Sequence, residues 1–297
     1  MKALITGGAG FIGSNLAREI ISRNNQVGLL IRKESKTWRV NDLPKKVVFL
    51  EGDLTDKEGL INLVQNYNPD FIYHFGAYGA HPKFQQEKET MLSVNIAGTL
   101  NLIEAAKGIP IINIGSSSEY GIKDRAMVET DKCHPINWYG KTKLMQTLYC
   151  SEQKIPTLRL FSVYGPWDEP TRLIPVLIKA KLTGEGLHLI NSVREYTYID
   201  DITEAILKAT ERYDKIKGEI INIGSGQQYL IRDILKELDK VNPRELNISW
   251  DFKAVQTEPP VWVADISKAG RLLDWRPKIY LEEGLKRTYE WWKQWKN

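Results

Sequence analysis

The stretch TGGAGFIG, from Thr6 to Gly13, decides how this chain folds, because it closes one apolar run and opens another of different period. Before it, Lys2-Ala3-Leu4-Ile5 reads as a short strand; after it, Phe11, Ile12, Leu16, Ala17, Ile20 and Ile21 recur at helical spacing. Gly7, Gly10 and Gly13 fall three apart between the two. Without Cβ atoms they let the backbone turn tightly, approach a pyrophosphate and start a helix close to the strand. The unpaired N–H groups of that helix start then point at the anion. A structural turn can carry the same letters; the strand before and the helix after make it a dinucleotide cradle, with Gly7, Gly10, Phe11, Ile12 and Gly13 against the cofactor.

Outward from the cradle, apolar runs alternate with helical patterns. Gln26 to Ile31 is a second strand, Val47 to Leu50 a third, Phe71 to His74 a fourth and Ile111 to Ile114 a fifth. Strands alternating with helices predict an α/β fold with a doubly wound, Rossmann-like parallel sheet. Right-handed crossovers bring every strand end to one edge. Asp53 and Leu54, and Phe75, Gly76 and Ala77, reach that edge as further cofactor contacts. The second strand ends at Ile31-Arg32-Lys33, where an NAD site usually presents a carboxylate to the adenosine ribose. A cation beside a missing acid suits the 2′-phosphate of NADP(H), so Arg32 tilts the cofactor from NAD towards NADP(H); Ser35 and Arg39 are further candidates in the same loop. The helix from about Glu89 to Lys107 carries Asn95 on an apolar face, which reads as a satisfied core amide.

The fifth strand delivers Gly115-Ser116-Ser117-Ser118-Glu119-Tyr120-Gly121 to the same edge. Tyr139 and Lys143, four apart in a helical stretch running to about Cys150, share one face. A phenol near pKa 10 becomes a usable base when an ammonium and an oxidised nicotinamide favour its phenolate, and the Ser116 hydroxyl can share the proton on the reacting oxygen.

With 297 residues, 42% of them hydrophobic, the chain can bury a large core in one large or two modest domains. A net charge of +4 with the signs interspersed favours a solvated surface over a nucleic-acid face and suits an anionic nucleotide. Cys133 and Cys150 and the scattered histidines show no metal-ligand spacing, so two reduced thiols and no metal are expected. No apolar run reaches the roughly 18 residues of a membrane span, and Met1 leads straight into the first strand, so the expected location is the cytoplasm.

Taken together, the cradle, the strand-end serine and Tyr-Gly-Lys-Thr-Lys from Tyr139 resemble the extended short-chain dehydrogenase/reductase family, in its nucleotide-sugar epimerase/dehydratase branch. The resemblance extends through NIAGTLN from Asn95, RLFSVYGP from Arg159, REYTYIDD from Arg194, NIGSG from Asn222 and LDWRP from Leu273. It implies hydride exchange between nicotinamide and a carbon, C4, of a nucleotide-diphosphate sugar, with Tyr139 as acid/base, Lys143 holding the ribose and lowering the Tyr139 pKa, and Ser116 polarising the sugar oxygen. Relatives that dehydrate sugars carry an acidic pair where this chain has Ser117 and Ser118, and Glu119 is one position off. Pure hydride chemistry, as a 4-epimerase or a 4-keto-sugar reductase or dehydrogenase, is therefore expected before a 4,6-dehydratase or a non-catalytic NADP(H) sensor.

The composition changes after Tyr164 to the Pro-containing segment 165–170, followed by an amphipathic helix from about Arg172 to Leu182. The resemblance implies a cofactor domain of 1–165 plus about 197–224, and a smaller C-terminal α/β substrate domain of about 166–196 and 225–297. Arg194 is expected on the substrate diphosphate, with Ser117 and Ser118 beside the sugar. Ser162 stands where relatives commonly hold an asparagine, and Tyr78 and His81 either line the sugar pocket or cap a turn. Trp291, Trp292 and Trp295 read as packing. The resemblance also implies a homodimer through the helices near 89–107 and 138–153.

Overall fold

The computed structural model describes residues 1–44, 47–80, 86–251 and 258–295; His81 lies outside the described residues. The chain divides into two compact units, one of Met1–Gly121, Lys132–Leu160 and Ile206–Ile221, the other of Ile122–Asp131, Phe161–Ala205 and Asn222–Asn297. Residues 122–131, 161–165, 197–205 and 222–224, which the resemblance places in the cofactor domain, group with the second unit, and one boundary falls inside the helix Ile199–Glu211.

The first unit is built on β1 (Lys2–Thr6), β2 (Gln26–Ile31), β3 (Val48–Glu51), β4 (Phe71–His74), β5 (Ile111–Ser116) and β6 (Thr157–Leu160). Across the seven-stranded sheet the order is the strand Ile220–Ile223, then β6, β5, β4, β1, β2 and β3. Every pairing from β6 to β3 is parallel. Chain order therefore runs outward in one direction from β1 and in the other from β4. The crevice for a ligand in such a sheet opens where that order reverses, and there Thr6 is directly opposite His74.

Helices α1 (Phe11–Ser22), α2 (Lys57–Tyr67), α3 (Lys88–Met91), α4 (Gly98–Ala106) and α5 (Trp138–Glu152) connect the strands. Capping fixes where they begin: Asp56 accepts from the Gly59 N–H at 3.1 Å for α2, and Asn137 accepts from the Gly140 N–H at 2.8 Å for α5. Leu60 and Val64 of α2 and Leu102 and Ala105 of α4 meet Leu4, Leu30 and Ile72 of the sheet in one buried cluster, with Cys150 of α5 among them. The helix expected from Glu89 to Lys107 is not continuous. Leu92–Ala97 winds as a π-helix between α3 and α4, with the Gly98 N–H bonded to the Ser93 carbonyl. Such wide turns concentrate at functional sites.

In the second unit, helices Leu173–Thr183 and Ile231–Val241 each pack against Leu281–Gln294. The strand Val193–Glu195 pairs antiparallel with Gln228–Leu230, and Leu187–Leu189 pairs parallel with Ile248–Trp250. Trp275 is buried, its indole N–H donating to the Asp201 carbonyl at 3.0 Å. The terminal tryptophans pack mainly on one another: Trp291 stacks on Trp295 at 5.9 Å and meets Trp167 at 4.9 Å.

Candidate active site

At the end of β1, Gly7 adopts φ +66°, and a Cβ there would come within 3.0 Å of the Phe75 carbonyl carbon and the Gly76 nitrogen. A Cβ on Gly13 would lie 2.6 Å from the Gly7 oxygen, so α1 can begin against the turn only without one. The Gly10 N–H closes the turn on the Gly7 carbonyl at 2.9 Å. Gly10 caps α1 with no side-chain hydrogen bond, which leaves the first-turn N–H groups of Phe11, Ile12 and Gly13 without a side-chain acceptor. A cradle that any Cβ would fill, at an uncapped helix start, fits a dinucleotide pyrophosphate.

The neighbouring strand ends close the same edge. Gly76 lies so near Leu54 that a Cβ would meet the Leu54 Cδ1 at 2.6 Å, and its N–H donates to Thr6 Oγ1 at 3.0 Å. Phe75 is half-buried and Ala77 exposed. Asp53 holds its own turn, accepting from both the N–H and the hydroxyl of Thr55 at 2.8 Å. At the end of β2, Arg32 is exposed while its N–H donates to Ser35 Oγ at 2.9 Å. Arg39 is buried, its guanidinium 4.2 Å from the Trp38 ring centroid, so it does not share the open loop with Arg32 as the sequence led us to expect.

β5 carries Ser116 to the edge, where its Oγ accepts from the Ser118 N–H at 3.2 Å. Gly140 of α5 lies against that turn, with only 2.3 Å between an added Cβ and the Ser118 oxygen. The residue after Tyr139 must therefore be glycine for α5 to seat on the serine turn. Tyr139 is half-buried there, Ser117 is buried and Ser118 half-buried. Lys143 is buried, and its Nζ donates to the Ile114 carbonyl at 2.6 Å and to Gln146 Oε1. Burial pulls the Lys143 pKa down to about 8 against the opposing pull of Glu119.

Sequence reasoning missed the part that Glu119 plays. Its carboxylate is fully buried and accepts from the Ser116 N–H at 2.7 Å, from Thr147 Oγ1 at 3.0 Å and from Arg159 Nε at 2.7 Å. Burial raises its pKa, and Arg159 is the first of the groups that oppose the rise. Asn95 is buried as expected, but it also ties two segments together. It accepts from the Tyr78 N–H at 2.7 Å and donates to the Tyr78 carbonyl at 3.0 Å and to Thr142 Oγ1 at 2.9 Å, beside Lys143. The π-helical turn that presents it leaves no periodicity signal in the sequence.

Two expected substrate residues fall in the second unit. The Ser162 carbonyl accepts from the Thr197 N–H at 2.9 Å. Arg194 donates to Glu258 Oε2 at 2.6 Å and lies 5.3 Å from the Trp262 ring centroid, so its charge is balanced by an acid. Next to it, Glu195 is buried and accepts from the N–H groups of Gly226 at 2.6 Å and Ala264 at 2.7 Å; burial pushes its pKa up to about 7. Among the described residues no His, Cys, Asp and Glu cluster could hold a metal ion, both cysteines are free thiols, and no helix is long and apolar enough to cross a membrane.

The model of the NAD dependent epimerase/dehydratase family matches residues 3–224. The UDP-glucuronate 4-epimerase of Thermodesulfobacterium geofontis is 30% identical over 98% of this chain and 96% of its own length. The UDP-N-acetyl-alpha-D-glucosaminuronate decarboxylase of Bacillus cytotoxicus is 28% identical over 100% and 99%. Among solved structures, the UDP-glucuronic acid 4-epimerase from Bacillus cereus, in complex with UDP-glucuronic acid and NAD, superposes with a TM-score of 0.88 at 33% identity, over 99% of each chain.

Proposed function

The chain belongs to the NAD dependent epimerase/dehydratase family, and on that premise we propose that it is a UDP-sugar 4-epimerase working through Ser116, Tyr139 and Lys143. A nicotinamide, when bound, supplies the hydride acceptor and donor. Tyr139 takes the proton of the sugar 4-hydroxyl as the C4 hydrogen leaves with its electron pair, and returns it when hydride comes back to the other face of the planar carbon. Ser116 donates a hydrogen bond to that oxygen, and the Lys143 ammonium favours the Tyr139 phenolate. Arg194 exchanges Glu258 for the substrate diphosphate.

The observation that carries this reading is the engagement of Glu119. Elimination of water needs a carboxylate free to take a carbon-bound proton. Ser117 and Ser118 cannot serve, and Glu119 is buried and already committed to Ser116, Thr147 and Arg159. To test the reading, the chain is incubated with NAD+ and either UDP-glucose or UDP-glucuronate and followed by NMR. The 4-epimer is expected; release of carbon dioxide from UDP-glucuronate, or loss of water from either sugar, would replace epimerisation by another fate of the C4 ketone.

Arg32 favours a second reading, NADPH-dependent reduction of a 4-keto sugar. Ile31 and Arg32 stand where a carboxylate would take the ribose hydroxyls, and the exposed Arg32 offers a cation to a 2′-phosphate. Calorimetry is expected to give NADP+ an affinity at least equal to that of NAD+; a tenfold preference for NAD+ would remove the second reading.

A homodimer belongs to the same proposal. Met145 and Leu148, on one face of α5, are about half exposed, at 50% and 51%, and Leu92 and Leu100 are exposed on the adjoining helical segments. Apolar side chains grouped on neighbouring helices fit a second copy of the same face. Met145→Glu combined with Leu148→Glu is expected to halve the mass seen by light scattering; an unchanged mass would place the contact elsewhere or show a monomer from the start.

A further inference from the structure

Behind Lys143 a line of buried polar groups runs through the sheet to the glycine cradle. Gln146 Nε2 donates to Thr99 Oγ1 at 2.8 Å, Thr99 Oγ1 meets His74 Nε2 at 2.9 Å, and His74 Nδ1 meets Thr6 Oγ1 at 2.7 Å. Thr6 Oγ1 accepts in turn from the Gly76 N–H at 3.0 Å. Thr6, His74, Thr99, Lys143 and Gln146 are all buried.

Donor and acceptor capacity fixes every proton in this line. The Lys143 ammonium can only donate, so Gln146 turns its oxygen towards it and its NH2 towards Thr99. Thr99 gives its single hydroxyl proton to the Asn95 carbonyl at 2.7 Å. It can then only accept from Gln146 and from His74, so His74 carries its proton on Nε2, and its bare Nδ1 accepts from the Thr6 hydroxyl. An imidazolium would need a second acceptor, which Thr6 can offer only by giving up His74 as its own. Burial, with Lys143 adding to it, holds the His74 pKa down at about 3, which keeps the ring neutral.

We propose that Gln146 and His74 are positioning residues for Lys143: through Thr99 they fix two things at once, the direction of the ammonium and its alignment with the cradle at Gly76. The inference rests on the reading of Lys143 given above. Lys143 has three N–H donors, and Ile114 and Gln146 take two of them, so the remaining one has a set direction. The groups that face this ammonium are Glu119 on the serine turn with Arg159 behind it, Cys150 and, one turn earlier, Tyr139 on its own helix, and His74. The strand β5 and the π-helical turn bring no titratable side chain to it.

The test is the titration of Lys143 itself, read from its Cε and Nζ NMR signals in the cofactor-free chain and assigned by their loss in Lys143→Met. Gln146→Met removes an acceptor and is expected to lower the midpoint by about one pH unit; Gln146→Glu supplies an anionic acceptor and is expected to raise it by a similar amount. The alkaline limb of kcat should move in the same two directions, and the Kd for NAD+ should rise about tenfold in Gln146→Met. A role in packing alone would move the two variants alike or neither. Identical midpoints in the natural chain and both variants, or an imidazole nitrogen spectrum showing His74 protonated or carrying its proton on Nδ1 at pH 7, would overturn the inference. Tyr139→Phe separates the two claims: retained turnover there defeats the functional reading, whereas lost turnover with unmoved Lys143 midpoints defeats only the positioning role.

Discussion

Tyr139→Phe is expected to lower the rate of C4 oxidation of a bound nucleotide sugar by about three orders of magnitude while leaving the thermal midpoint and the Kd for cofactor close to those of the natural chain. The substitution removes one oxygen from a half-buried ring at the start of α5. The ring still fills its place, the Asn137 cap still holds Gly140, and Lys143 keeps its bonds to Ile114 and Gln146. What is lost is the proposed base, the group that would take the hydroxyl proton as hydride leaves C4; water does not replace it at the same position. Ser116 remains, and in its proposed role it donates to the oxygen; a neutral hydroxyl is too weak a base to accept the proton. Single-turnover absorbance of the reduced nicotinamide, beside calorimetry with NAD+, reads the two quantities separately. A rate within about tenfold of the natural chain would mean that another group is the base.

Arg159→Met has the largest expected effect on stability. The Glu119 and Arg159 side chains are 0% and 2% exposed, 2.7 Å apart, with the guanidinium also 4.6 Å from the Tyr120 ring centroid. Removing one partner of a buried ion pair leaves the other charge uncompensated, a loss of about 3–5 kcal/mol. At about 2–4 °C per kcal/mol for a chain of this size, the midpoint falls by on the order of 10 °C. The loss depends on pH, with a definite sign. Burial already raises the Glu119 pKa against Arg159, and without Arg159 the folded value rises further. A carboxyl whose folded pKa exceeds its unfolded value of about 4.3 binds its proton more tightly when folded, so the deficit is smallest at or below that value. It grows as pH rises towards the folded pKa. Adding Glu119→Gln to Arg159→Met should recover part of the stability at pH 8, because the amide oxygen still accepts from the Ser116 N–H and from Thr147 without a buried charge. Urea unfolding at pH 5 and pH 8 measures both; an Arg159→Met deficit equal at the two values would show that the pair is not what holds this region.

The parts of the site that were legible in the sequence are those whose physics is local. The cradle is eight consecutive residues between a strand and a helix, and Tyr139 and Lys143 are one helical turn apart, so spacing alone brings each set together. Glu119 reads in the sequence as an acid one place out of position, because the partner that explains it is Arg159, 40 residues later on β6. The line from Lys143 to the cradle joins His74 to Thr6 across 68 residues and Gln146 to Thr99 across 47, and no periodicity predicts such pairs. Asn95 is visible as a buried amide, but the π-helical turn that aims it at Tyr78 and Thr142 is not, since one widened turn barely disturbs an apolar repeat. Arg39 and Arg32 look equivalent in the loop after β2; only packing on Trp38 separates the buried one from the exposed one.

Proton NMR of the chain with NAD+ and UDP-glucose or UDP-glucuronate deuterated at C4, in ordinary water, tests the proposed chemistry most directly. The account predicts the 4-epimer of one of the two sugars, deuterium retained at C4 and no net accumulation of reduced cofactor, because the hydrogen leaves and returns within one active site. An epimer whose C4 deuterium has been exchanged for solvent hydrogen would mean proton abstraction in place of hydride transfer and would contradict it.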